Sequence, residues 1–293
     1  MMAEEATSTQ PVQQVQFIPL KMIHPFEGHP FRVSDDDELM QQTIDSIAHY
    51  GVLNPVIVRP DGDSYEMVSG HRRLRASELA GKDTIPAISR EMTDDEAIIF
   101  LVDSNLQRES LLPSERAFAY RMKMDALRHQ GKHTDLTSGQ FGEKPATSIS
   151  IVANDAGRSQ RQVQRFIRLT ELIPELLDMV DRKELAFNPA VELSFMKKSE
   201  QKKFLEAIDF AQNMPSLSQA QRLKKLSQDG VCTQEAMFSI MSEEKKSERD
   251  QITFRHDVLR KYFPKSYTPH QMEQIIIKLL EQWQKKRQRE SSR

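Results

Sequence analysis

The first hundred residues alternate short apolar runs with polar turns, a pattern that predicts a small α+β domain over residues 16–92. The predicted strands are short apolar runs bounded by turns, at 17–20, 56–58, 65–68 and 85–88. The predicted helices, at 37–49 and 71–81, repeat apolar residues every three to four positions. A polar tail, residues 1–15, precedes this domain and is expected to be disordered.

Beyond residue 92 the apolar spacing becomes helical throughout, so the rest of the chain is predicted to be all-α. Thr93 and Glu96 form a capping-box pattern at the start of one helix, and Gly131 is predicted to end the next. The predicted segments are connecting helices at 93–131, a polar loop at 132–147, a DNA-binding helical domain at 148–230 and a mostly helical C-terminal region at 231–293.

Residues 148–169, SISIVANDAGRSQRQVQRFIRL, have the pattern of a helix-turn-helix. Gly157 supplies the tight turn and Ser159 the cap of the second helix. Arginine and glutamine side chains can read base edges, and other cations can grip phosphates. The alternative is a solvated cationic face of a helical hairpin. The candidate DNA-binding residues are Arg158, Ser159, Gln160, Arg161, Gln164, Arg165 and Arg168.

The last predicted helix, 269–289, carries a wide apolar face that includes Leu279, Leu280 and Trp283. This face either packs on its own domain or pairs with a second copy of the chain, and the sequence leaves both alternatives open.

Charge is unevenly distributed although the net charge of the chain is only −2. Residues 1–100 carry 8 basic and 17 acidic residues, a net charge of −9, whereas 101–170 carry +4 and 171–293 carry +3. A polyanion partner is therefore expected for the later part.

The single cysteine, Cys232, excludes a disulfide framework, and the absence of a long apolar run or a secretory signal favours a cytoplasmic protein without membrane association.

The stretch VSGHRRLRASELAG, residues 68–81, places Gly70 between a predicted strand and a predicted helix. Helix N-termini present free N–H groups, and Arg72 and Arg73 add charged donors. We therefore predict an anion site, most plausibly for phosphate. The alternative is a glycine turn with solvated arginines.

The motifs SGHRRLRA and DSNLQRE, followed by a helix-turn-helix, together resemble the ParB family of partition proteins. The segments HPFR and VLNPVIVR also match the first N-terminal motif of that family, and the resemblance runs from about residue 16 to about residue 200. It implies a ParB/sulfiredoxin-like N-terminal domain. The C-terminal third is more similar to mobile-element members.

The resemblance implies a centromere-binding protein that binds CTP with Mg²⁺ and closes into a DNA clamp. Its expected partners are a specific double-stranded DNA site, a ParA-type ATPase and a second copy of the chain, on the nucleoid or a plasmid in the cytoplasm. The residues implied to hold CTP are Arg32, Ser69, Gly70, His71, Arg72, Arg73, Asn105, Gln107 and Arg108. Which residues ligate the metal is unknown.

Two positions depart from the family pattern. His71 stands where the family usually has Glu, and Ser104 stands where the E-N-x-Q-R motif has the Glu associated with the metal or the attacking water. Asp103 could take that catalytic role only if the helix shifts by about 100°, so CTP hydrolysis is expected to be weak or absent.

Two other functions compete with the partition clamp. One is a helix-turn-helix transcription regulator without nucleotide turnover, which leaves the arginine turn unexplained. The other is an enzyme on the same N-terminal fold, either a nucleotide-dependent kinase or a sulfiredoxin. A sulfiredoxin needs a cysteine beside the glycine turn, whereas Cys232 is far away in the sequence.

Overall fold

The computed structural model describes residues 14–108, 111–134, 147–243, 259, 262–264 and 266–291. These residues form two compact units, Met1–Glu243 and Glu244–Arg293. Most of the predicted disordered tail and most of the predicted polar loop at 132–147 lie outside the described residues.

The first unit begins with a five-stranded mixed sheet. Its strands are β1 (Val15–Pro19), β2 (Ile23–Pro25), β3 (Val56–Asp61), β4 (Ser64–Ser69) and β5 (Thr84–Ser89), in the spatial order β1-β5-β3-β4-β2. The pairs β1–β5 and β3–β4 are antiparallel, and β3–β5 and β2–β4 are parallel. Val56, Val58 and Met67 are fully buried at its centre. This arrangement confirms the predicted α+β class.

Strand β2 is the one element of the sheet that the sequence pattern does not predict. It is only three residues long and ends in Pro25, which has no N–H to give to a ladder. It pairs with β4 in the parallel register Ile23 to Tyr65, so a long-range contact makes it a strand. Its addition places the following loop, residues 26–33, beside the end of β4.

Two helices belong to this domain, α1 (Glu38–Tyr50) and α2 (His71–Leu79). Asp37 caps α1 by accepting a hydrogen bond from the Met40 N–H, and Gly51 follows its end with a φ of 72°. Met40 of α1 packs against Ala76 of α2, and both side chains are fully buried.

Two longer helices connect the domain to the rest of the unit, α3 (Asp94–Leu106) and α4 (Pro113–Thr134). The predicted capping box between Thr93 and Glu96 is confirmed, because each backbone N–H bonds to the other residue's side chain. The prediction that Gly131 ends α4 is wrong. Gly131 has no positive φ and the helix continues to Thr134, since a glycine inside a helix costs only about 1 kcal/mol.

Seven further helices complete the first unit around the largest apolar core. They are α5 (Ser148–Asp155), α6 (Gln160–Leu169), α7 (Pro174–Asp181), α8 (Phe187–Leu193), α9 (Lys198–Ala211), α10 (Leu217–Gln228) and α11 (Gln234–Met241). Phe204, Leu223 and Met237 are fully buried in this core. Because Met237 of α11 belongs to it, the unit extends beyond the predicted boundary at residue 230.

The second unit contains the helix α12 (Pro269–Ser291). Leu279, Leu280 and Trp283 are each 58 % exposed. No helix among the described residues is long and apolar enough to cross a membrane.

Candidate anion pocket and nucleic-acid interface

Gly70 turns the chain from β4 into α2. It is the N-cap of α2 and has a φ of 119°, a region that side-chain-bearing residues rarely adopt. A Cβ added here would lie 2.6 Å from Val56 Cγ1, inside the sheet core. Glycine is therefore required at this junction for both conformational and steric reasons.

Replacing Gly70 with alanine is expected to lower the free energy of unfolding by about 2 kcal/mol or more, since positive-φ strain and overpacking add. Urea denaturation measures this change. Gly131→Ala is the matched control, because no atom lies within 4 Å of its added Cβ and the position is helical. The control is expected to be neutral or more stable by up to about 1 kcal/mol. Equal effects at both positions would contradict this account of the turn.

A cavity of about 160 Å³ lies at the N-terminus of α2. The first intrahelical bond of α2 runs from the Leu74 N–H to the Gly70 carbonyl at 3.0 Å, so the preceding amides have no acceptor within the helix. The lining residues are His29, Phe31, Arg32, Val33, Ser69, Gly70, His71, Arg72, Arg73, Ser104, Asn105 and Arg108. They come from three separate parts of the chain, and none of them carries a carboxylate.

Two arginines of the cavity are held in place by residues that do not line it. Arg73 donates to the carbonyls of Asn54 and Pro55 at 2.5 and 2.9 Å, and Arg72 pairs with Asp37 at 3.0 Å. Burial, and then the charge of Arg108, lower the pKa of Arg73. Partial loss of solvent and the charge of Arg72 lower the pKa of Arg108. These cations destabilise one another, so an anion in the cavity would relieve their repulsion.

Two histidine rings stack at one wall of the cavity. The centroids of His29 and His71 are 3.7 Å apart, and the backbone N–H of Phe26 donates to His71 Nε2 at 3.4 Å. Burial lowers the pKa of His71 to about 3, with further contributions from His29 and Arg108. Burial also lowers the pKa of His29 to about 4, and a backbone hydrogen bond at Phe31, which raises the pKa, offsets only part of that effect. Both rings are therefore neutral at pH 7.

This pair is expected to make the protein less stable in acid. Between pH 6.5, the ordinary histidine pKa, and about pH 4, the unfolded chain takes up protons that the folded chain does not. Stability should therefore fall as the pH falls, by at most about 1.4 kcal/mol per pH unit for each histidine. His71→Gln should have a shallower slope in denaturation series between pH 7 and 4.5. The exposed His49→Gln is the control, and equal slopes for wild type and His71→Gln would contradict the explanation.

Most residues predicted to bind nucleotide are brought together in the cavity. Gln107 is not among its lining residues; it is exposed at the C-terminal end of α3. The sequence analysis missed His29, Phe31, Val33 and Ser104 as lining residues. The only signal for His29 and Phe31 was the HPFR segment, residues 29–32, which the resemblance had already singled out, and Val33 directly follows that segment.

Asp103, the predicted catalytic residue, faces away from the cavity. Its carboxylate accepts a hydrogen bond from Lys123 of α4, and it is not among the lining residues. Ser104, the next residue, does line the cavity, and its hydroxyl donates to the Leu101 carbonyl at 3.0 Å. One step along α3 rotates a side chain by about 100°, which explains why only one of the two reaches the cavity. This placement gives no support to a catalytic role for Asp103.

The predicted helix-turn-helix forms from α5, a turn at Gly157 and α6. Gly157 has a φ of 60°, and Ser159 and Gln162 form a capping box at the start of α6. Val163 is fully buried against Val152 of α5, which fixes the opposite face of α6 outward.

Ser159 caps α6, and the other candidate DNA-binding residues divide into two groups. Gln160, Arg161 and Gln164 are exposed, and their side chains make no hydrogen bond with any described residue. By contrast, the other arginines contact the protein itself: Arg165 donates to Asn188, and Arg168 donates to the Ser194 carbonyl at 2.7 Å. Arg158 lies 5.7 Å from the centroid of the Phe166 ring. Among the described residues, the first group is therefore the one available to read bases.

Residues 4–106 match the family model of the ParB N-terminal domain. The chain is 35% identical over 180 residues to the chromosome-partitioning protein Spo0J of Thermus thermophilus, across 61% of this chain and 60% of that protein. It is 38% identical over 142 residues to the stage 0 sporulation protein J of Bacillus subtilis, across 48% of this chain and 45% of that protein.

The match therefore spans about half to three fifths of the length of these curated relatives. Among solved structures, the chain is similar to the C-terminally truncated ParB of Caulobacter crescentus complexed with CTP-gamma-S. That similarity has 26% identity and a TM-score of 0.31, and covers 62% of this chain and 92% of the other.

Proposed function

We propose that this chain, whose residues 4–106 match the ParB N-terminal domain, is a ParB-type partition protein that binds a specific DNA site and is regulated by CTP. The chromosome-partitioning protein Spo0J of Thermus thermophilus, a relative with a partition name, supports the biological role. The observation that carries the nucleotide part is the convergence of Arg72, Arg73 and Arg108 on one cavity at the start of α2.

A polyphosphate fits the chemistry of this cavity. Phosphate oxygens accept strong hydrogen bonds from the free amides of a helix N-terminus and from guanidinium groups. The cavity lining holds no carboxylate that would repel the phosphate chain. The choice of CTP over other triphosphates rests on the family resemblance, since the cavity itself specifies charge and not a base.

In this proposal, Mg²⁺ would be held mainly by the phosphate oxygens of the bound nucleotide. Among the described residues, no group of three histidine, cysteine or acidic side chains could hold a metal ion. Mg²⁺ readily keeps water and phosphate oxygens as ligands, and the Ser104 hydroxyl and the Asn105 amide are the nearest oxygen-bearing side chains on α3. A bound ion would neutralise phosphate charge. Because Ser104 replaces a carboxylate, turnover is expected to be slow.

The DNA part of the proposal rests on α6. Gln160, Arg161 and Gln164 are exposed near the start of this helix, where recognition helices contact base edges, and each side chain can make a bidentate contact to a base. Arg158, Arg165 and Arg168 are placed by aromatic rings and side-chain or backbone oxygens, a geometry suited to holding phosphates at a fixed distance. A homodimer, a ParA-type ATPase and association with the nucleoid or a plasmid complete the proposal, by analogy with the family.

The decisive experiment measures nucleotide affinity for CTP, ATP and GTP, each with and without a DNA duplex selected from random sequences by the protein itself. Preference for CTP that strengthens with the selected DNA would support the regulated partition protein. Preference for ATP would favour a kinase. Site-specific DNA binding without any nucleotide binding would favour a transcription regulator.

A further inference from the structure

Lys123 lies in the middle of α4 with a side chain that is only 1% exposed, although it carries a charge. Its ammonium group donates to Asp103 and, at 2.6 Å, to Asp155. An ammonium group removed from water is costly unless acceptors surround it. The two carboxylates supply those acceptors, so the position of Lys123 depends on both.

The two carboxylates lie at the ends of the two elements that matter most for function. Asp103 is near the C-terminal end of α3, directly before Ser104 and Asn105 of the cavity. Asp155 is the last residue of α5, directly before the turn that leads into α6. Lys123 thus joins the nucleotide cavity to the helix-turn-helix through two charged hydrogen bonds and one side chain.

We propose that Lys123 is a positioning residue that couples occupancy of the cavity to the orientation of α5 and α6. This inference rests on the proposed function, because it needs both a nucleotide and a DNA ligand. A nucleotide held by Asn105 and Arg108 restrains the end of α3, and Asp103 transmits that restraint to Lys123. Asp155 then passes it to the turn before the recognition helix. Binding at either site changes the affinity of the other by the same factor.

The test measures the coupling factor, which is the ratio of the CTPγS dissociation constants without and with the selected DNA duplex. In the wild type this ratio is expected to differ from one by about 5-fold or more. Asp155→Asn keeps the size of the side chain but removes its charge. This variant is expected to reduce the coupling factor by at least about threefold, toward a value of one. Its affinity for CTPγS alone and its affinity for DNA alone should each change by less than about twofold.

Three further variants separate positioning from simple destabilisation. Asp155→Glu restores the charge and is expected to recover most of the coupling. Asp103→Asn breaks the same linkage at its other end and should reproduce the loss even where Asp155→Asn folds poorly. Arg222→Gln breaks an exposed pair with Glu243, also within the first unit, and should leave the ratio unchanged.

The possible results distinguish this inference from the proposed function. A wild type that binds no nucleotide overturns both. A wild type that binds nucleotide and DNA independently overturns the inference alone, since there is then no coupling to transmit. A normal coupling factor in both Asp155→Asn and Asp103→Asn also overturns the inference and leaves the proposed function intact.

Discussion

Replacing Arg72 with alanine is expected to reduce CTP affinity by about 30-fold or more, while site-specific DNA binding in the absence of nucleotide is retained. Arg72 lines the cavity, and its guanidinium is held at 3.0 Å by Asp37 from the neighbouring helix α1. Removing one charged donor from a partly desolvated anion site costs about 2 kcal/mol or more. Titration calorimetry with CTP and Mg²⁺ measures the loss directly.

Arg75→Ala is the matched control for this experiment. Arg75 lies one turn further along α2 and pairs with Asp35 and Glu78, but it does not line the cavity. It should leave CTP affinity within about twofold of wild type, since exposed ion pairs contribute little. Equal losses in the two variants would point to a general effect of charge on α2. Loss of both CTP and DNA binding in Arg72→Ala, with a lower melting temperature, would assign Arg72 to folding.

Replacing Arg161 with alanine is expected to lower the preference for the selected DNA site over unrelated duplex by about 5- to 150-fold. Arg161 is exposed at the start of α6, and its side chain makes no hydrogen bond or ion pair with a described residue. A bidentate contact from arginine to a base contributes about 1–3 kcal/mol of discrimination. Fluorescence anisotropy with the two duplexes, repeated over a range of salt concentrations, gives both the preference and the number of phosphate contacts.

Arg161 gives a cleaner measurement than Arg165 does. Arg165 donates to Asn188 and lies over the Phe187 ring, so its removal changes the protein surface as well as the DNA contact. Arg128→Ala, at an exposed position of α4, is the control and should leave the preference unchanged. Weaker binding of Arg161→Ala to both duplexes by the same factor, with a flatter salt dependence, would instead make Arg161 a phosphate contact.

The elements that the sequence predicted well are those that depend on residues close together in the chain. The capping box of Thr93 with Glu96 joins residues three positions apart, and the predicted cap at Ser159 directly precedes its helix. The turn at Gly70 follows from an apolar strand, a glycine and a helical pattern within a few positions. Local geometry limits these segments to few conformations, so a single sequence suffices to recognise them.

The sequence pattern missed one strand and misplaced one helix end. Strand β2 exists because residues 23–25 pair with 65–67, and α4 continues through Gly131 to Thr134. Neither outcome can be read from the local pattern, since a three-residue strand ending in proline resembles a loop and a glycine resembles a helix end.

The candidate site shows the same division. The sequence by itself predicts an anion site where β4 meets α2, and it places arginine and glutamine on the outward face of α6. Only the tertiary structure decided that His29 and Ser104 belong to the cavity, that Gln107 lies outside it, and that Asp103 turns to Lys123. It also left Arg161 exposed while Arg165 and Arg168 contact their neighbours. The physical reason is that a motif fixes which side chains are present, whereas their directions are set by partners that folding brings from other parts of the chain.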